Sequence, residues 1–207
     1  MKAALLTWMT AGALVAAAMT ATSVAQSKPS ATDKVTINGV ALNMSNTATG
    51  ANTTIRINID KWSTPSQRQH LIQTFLEKKQ DGLVRELEKQ PDLGRFNFPG
   101  YLGPDPNNFL RLGTDIRYAM SFPGDDGGRR IVVITPRVIG TREEIEQPRY
   151  RDYPFTLFEM RFDKSGKGEG KMAYATQITF DKKTNSIGLE NYASEPVRLK
   201  NLEIDVR

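Results

Sequence analysis

Apolar residues alternate with polar ones over several short stretches of this chain, and only one region shows helical spacing instead. Val35 and Ile37 open the first alternating stretch, which extends to Val40 and Leu42 with Gly39 marking a bulge. Ile55, Ile57 and Ile59 alternate with Arg56, Asn58 and Asp60, which predicts a strand with one buried face. Between the two, residues 43–52 are rich in Asn, Thr, Ser and Gly and read as a loop. A helix is then announced by its start. Thr64 is placed to cap, Pro65 fits the first helical position, and Gln67 completes a Thr-x-x-Gln box. Leu71, Ile72, Phe75 and Leu76 form its apolar stripe. Asp81-Gly82 predicts an interruption, after which Leu83, Val84 and Leu87 continue a second short helix that Pro91 ends.

Residues 91–109 carry Gly94, Pro99, Gly100, Gly103, Pro104 and Pro106 and read as an irregular crossover, with room for one short strand at residues 95–98. Beyond it the chain is a series of strands with explicit turns. Strands predicted over residues 115–121 and 130–135 flank the turn 123–128, and strands over 153–162 and 171–180 flank the turn 163–168. Further strands are expected around Ile187 and Leu189, and over residues 197–206. The pattern predicts an α+β fold: a curved antiparallel meander, closing as a barrel or a sandwich, packed on a short helical pair. Residues 34–207 form one domain in this reading.

The amino terminus reads as an address. Lys2 precedes an uncharged, mostly apolar run from Ala3 to Ala18, and Ser23-Val24-Ala25 places small residues before Gln26. That is the layout of a secretory signal peptide over residues 1–25, cut between Ala25 and Gln26, with a polar leader at residues 26–33. A periplasmic or extracellular destination follows, and no later segment is apolar enough to span a membrane as a helix. The chain has no cysteine, so packing and hydrogen bonds alone must hold it.

Removing residues 1–25 takes away Lys2 and no acidic residue, lowering the formal charge from +5 to +4. Basic and acidic residues are interspersed, as in Arg142-Glu143-Glu144, and no basic run alternates with aromatics, which argues against a nucleic-acid partner. His70 is the sole histidine. Zinc sites and Ser-His or Cys-His nucleophile systems therefore lack their parts, and no metal or cofactor is expected. Residues 163–168 superficially match a calcium loop, but Lys167 occupies a ligand position and Tyr174 stands where the closing Glu belongs. They read as a hairpin turn.

The candidate site residues come from strand periodicity. Asp115 and Arg117 share one strand face, as do Glu159 and Arg161. The strand around Glu159 is apolar on both sides at its start, which places it in the interior of the sheet. A binding protein would use these four residues, with aromatics, to hold a small ligand or an envelope component. A hydrolase of glycosidase type would need two of the carboxylates, such as Asp115 and Glu159, to converge. A structural or interaction protein of the envelope would need neither. With no catalytic motif present, the sequence favours non-catalytic binding.

Five segments together resemble a family of uncharacterised exported bacterial proteins of acidobacterial type: residues 59–64 (Ile-Asp-Lys-Trp-Ser-Thr), 112–119, 152–157, 166–171 and 189–197. The resemblance implies export and a shared fold, and it brings no activity, cofactor or site residue.

Overall fold

The computed structural model describes residues 33–44, 52–101, 109–124, 127–137, 155–174, 178–181, 186–189 and 197–207. The signal segment with its expected cut at Ala25 and Gln26 lies outside the described residues, as do parts of the 43–52 and 91–109 loops. The elements follow in the order β1 (Val35–Asn43), β2 (Asn52–Ile59), α1 (Pro65–Lys89), β3 (Gly94–Asn97), α2 (Phe109–Leu112), β4 (Thr114–Ile116) and β5 (Tyr118–Pro123). After them come β6 (Arg129–Thr135), β7 (Thr156–Phe162), β8 (Lys167–Tyr174), β9 (Ile178–Asp181), β10 (Ser186–Leu189) and β11 (Val197–Val206). A nine-stranded sheet has the order β4-β3-β2-β1-β11-β8-β7-β6-β5, and β9 pairs with β10 separately. Each neighbouring pair in the large sheet is antiparallel.

The two edge strands, β4 and β5, are consecutive in the chain with Arg117 between them. Upstream of that residue, Ile116 accepts a bond from the Leu93 amide (2.9 Å) on the β3 side; the Arg117 amide itself donates to Ile134 of β6 (3.1 Å). One extended path thus serves both edges, and the sheet curls into a nearly closed barrel. The expected strand over residues 115–121 is therefore split by a bend. Ile116 and Ala119 face the barrel interior while Tyr118 faces out, so the inward–outward alternation slips by one residue at Arg117.

Side chains fill the interior. Ile37, Ile55, Ile57, Ile59, Phe96, Ile116, Phe158, Met160 and Leu199 are all fully or almost fully buried in one cluster. Phe96 of β3 meets Phe158 of β7 edge-on at 4.7 Å, bridging the barrel from side to side. A second cluster forms on the outer face, where Leu71, Ile72, Leu83, Val84 and Leu87 of α1 cover Tyr118, Val132, Ile134, Phe155 and Leu157. Strand β7 is thus buried on both faces at its start, as its sequence predicts. Among the described residues no helix is long and apolar enough to cross a membrane.

Helix α1 is two helical halves. Its start carries the expected capping box: Gln67 N donates to Thr64 Oγ1 (3.2 Å) and Thr64 N donates to Gln67 Oε1 (2.8 Å). The break falls at Lys79 (φ 56°, ψ −153°), two residues before the expected Asp81-Gly82. Gly82 stays helical, and Leu76, in the turn before the break, is exposed instead of joining the apolar stripe.

The bulge expected at Gly39 is present at that level, but the extra residue belongs to β11. Asn38 pairs with Glu203 and Val40 with Lys200, so Asn201 and Leu202 stand opposite Gly39. Asn201 takes φ 51°. A Cβ on Gly39 would lie 2.5 Å from Leu202 Cδ2, so glycine provides the space that lets Leu202 turn into the core. The turn at residues 163–166 is held by Asp163, whose Oδ1 accepts bonds from Ser165 N (2.8 Å), Ser165 Oγ (2.7 Å) and Lys167 N (3.1 Å). Strand β8 consequently starts at Lys167, four residues earlier than expected.

Candidate functional site

All four candidate residues lie on the convex side of the sheet, away from the aromatics that fill its interior. The two pairs occupy different places. Asp115 and Arg117 line a pocket of about 360 Å³ where the barrel closes, together with Glu88, Arg95, Gly113, Thr114, Thr135, Pro136 and Arg137. The topology explains this gathering. Strand β4 brings Thr114 and Asp115, β3 brings Arg95, the end of β6 leads into Thr135–Arg137, and the end of α1 brings Glu88.

Asp115 is the centre of the charge arrangement. Its Oδ1 accepts from Arg95 Nη2 (2.8 Å) and Nε (3.2 Å), and its Oδ2 lies 3.7 Å from Arg117 Nη2. Arg117 also donates to the Gln90 carbonyl (2.8 Å) and pairs with Asp92 (3.1 Å), so it pins the chain after α1 to the barrel seam. Gly113 (φ +101°) is required beside it: a Cβ there would come within 2.8 Å of the Arg95 stem and the Phe96 carbonyl. Arg95 can therefore lie flat across the glycine and reach Asp115.

Thr114 is 7% exposed, and its Oγ1 is buried with no hydrogen-bond partner among the described residues. Buried hydroxyls are ordinarily satisfied. Arg95, Arg137, Glu88 and Thr114 carry no local sequence signal, because each arrives from a separate element. Nearby, burial pushes the Tyr118 phenol up to about 12 against the opposing pull of Arg68, so it stays neutral at physiological pH.

Glu159 and Arg161 sit on β7, away from the pocket. Glu159 is only 4% exposed, with Arg161 Nη2 at 3.3 Å and Arg130 Nη1 at 3.6 Å; Arg161 itself is well exposed. Arg130 also lies over the Phe122 ring, 4.9 Å from its centroid. Strand register measures the distance between the two carboxylates. Met120 pairs with Val132 and Val132 with Glu159, so Asp115 is two strands across and five residues along. At about 3.3 Å per residue and 4.8 Å per strand this is on the order of 15–20 Å, whereas glycosidase carboxylates lie roughly 5–9.5 Å apart. The structure does not bring Asp115 and Glu159 together.

Among the described residues no group of three or more His, Asp or Glu side chains is arranged to hold a metal ion. No family model matches the chain, and no curated protein or solved structure matches it.

Proposed function

We propose that this chain is an exported, non-catalytic binding protein whose seam pocket takes a small anionic ligand, free or as part of an envelope component. The observation that supports this best is the pocket itself. Arg95 and Arg117 both reach the Asp115 carboxylate there, and Arg137 and Glu88 line the same pocket. Its volume is at the small end of the range for small-molecule sites, about 300–1,000 Å³. Guanidinium groups match planar carboxylates and phosphates through paired hydrogen bonds. The carboxylates in the same wall favour a ligand that also carries a hydroxyl or ammonium donor. A hydroxy acid or an amino acid has both features.

Calorimetric titration with citrate, glutamate and inorganic phosphate tests this reading. At least one should bind, and Arg95→Gln should weaken it by about tenfold or more, since a charge-assisted pair is lost. Arg95 is exposed, so its replacement should leave the fold intact, checked by an unchanged melting profile; a titration in which no probe binds, or in which Arg95→Gln binds equally well, would reject the pocket as the site.

A further inference from the structure

Glu88 stands apart from Asp115 in the wall of the seam pocket. Asp115 is engaged by Arg95 and approached by Arg117, which also holds Asp92 and the Gln90 carbonyl. Glu88 lines the same pocket and is exposed, yet its carboxylate has no ion-pair or hydrogen-bond partner among the described residues. Its place in the chain gives the fold no compensating benefit. It lies in the last turn of α1 (Pro65–Lys89), where the helix end carries partial negative charge, which disfavours a carboxylate and favours a cation. A residue set against its local rule, with no internal partner and in a pocket wall, has the character of a group kept for a ligand. Arg95 offers the complementary charge. Its Nε and Nη2 bond Asp115, which leaves the Nη1 edge open among the described residues.

We infer that the ligand of the seam pocket is an acidic amino acid, its ammonium group held by Glu88 and one of its carboxylates by Arg95; this rests on the reading of the pocket as an anion site. A ligand hydroxyl that donates to Glu88 leaves the full charge of that carboxylate uncompensated. An ammonium neutralises it through a charge-assisted bond. A free cation does not suit the same place. Arg95, Arg117 and Arg137 line the pocket and repel it, and among the described residues no group of carboxylates and histidines is arranged to hold a metal ion. A cation carried on an anion satisfies both kinds of wall. A ligand that is anionic overall and bears an ammonium needs two acidic groups, and the acidic amino acids are the simplest molecules of that kind. Glu88 is then the residue that sets specificity, and Arg95 the anchor.

The test is calorimetric titration of the purified protein with L-glutamate and with L-2-hydroxyglutarate, in which only the ammonium is exchanged for a hydroxyl. The parent should bind glutamate about tenfold more tightly or better. Glu88→Gln, at an exposed position, should melt as the parent does and lose that preference, whereas Arg95→Gln should weaken both ligands. A merely structural role for Glu88 would weaken both ligands alike and leave their ratio unchanged. Three results overturn the ammonium site at Glu88 while the pocket stands as an anion site: hydroxyglutarate bound as tightly as glutamate or more so, a preference that Glu88→Gln retains, and binding of citrate or inorganic phosphate without glutamate. A parent that binds none of these probes overturns the pocket reading as well.

Discussion

His70 Nε2 lies 3.1 Å from Glu86 Oε1, although sixteen residues separate them in the chain. A straight helix would hold them about 24 Å apart, so this contact exists because α1 folds back on itself at Lys79. Lys89 completes the cluster at 3.2 Å from Glu86 Oε2. The Glu86 carboxyl is held below its ordinary range, first by its bond to Lys89 and then by that to His70.

A group whose folded pKa is depressed stabilises the fold above its unfolded value and ceases to do so as pH falls through the folded one. Glu86→Gln should therefore cost on the order of 0.5 kcal/mol at about pH 7, the scale of a surface ion pair, and that cost should fade as pH drops through the depressed folded value. Denaturant titrations of the two proteins at a series of pH values measure the difference. A cost that persists unchanged at low pH would show that the carboxylate charge is not what joins the helical halves.

At the other end of the same helix, Thr64→Ala removes an acceptor from the Gln67 amide and should cost about 1 kcal/mol. The urea midpoint should fall with the slope unchanged.

Lys79 occupies a left-handed region that side chains rarely adopt. Lys79→Gly should relieve this and raise stability by up to about 1 kcal/mol. Thermal unfolding checks it; a lower midpoint would mean that the lysine side chain supports the turn.

Glu159 is buried between two arginines whose strands place them opposite each other. Glu159→Gln removes the shared counter-charge of two arginines that both still reach solvent and should cost on the order of 1 kcal/mol. Arg161→Met, at an exposed position, should cost less than about 1 kcal/mol. Thermal melts of both single variants and the double give the coupling between them.

The parts of this fold written in local periodicity were legible. Ile55, Ile57 and Ile59 alternate because one face of β2 is the barrel interior, and the Thr64–Gln67 box needs only neighbouring residues. What depends on partners distant in the chain was not legible. Nothing around Arg117 shows that β4 and β5 belong to opposite edges of one sheet, since the register slip there is set by β3 and β6. Asp81-Gly82 is a stronger breaker than Lys79 by composition, yet packing of Leu83 and Val84 keeps that segment helical. Asn201, not Gly39, contributes the extra bulge residue, because Leu202 needs the room that glycine leaves. The candidate site shows the same division. Asp115 and Arg117 follow from strand spacing, whereas Arg95 meets Asp115 only through the β3–β4 pairing and Arg137 joins the same pocket from the end of β6. Strand spacing places Glu159 and Arg161 on one face and leaves open whether they form a paired network or a solvated strand end; Arg130, which approaches Glu159 from the next strand, carries no such signal.

Occupancy of the seam pocket is the central claim. Its most direct test is native mass spectrometry of the protein purified from its own host cells, compared with Arg95→Gln and with Arg161→Gln prepared the same way. A small anionic molecule should accompany the parent protein and Arg161→Gln and be absent from Arg95→Gln. A bare parent mass, or a companion molecule that Arg95→Gln retains undiminished, would contradict the assignment of the pocket around Asp115 as the binding site.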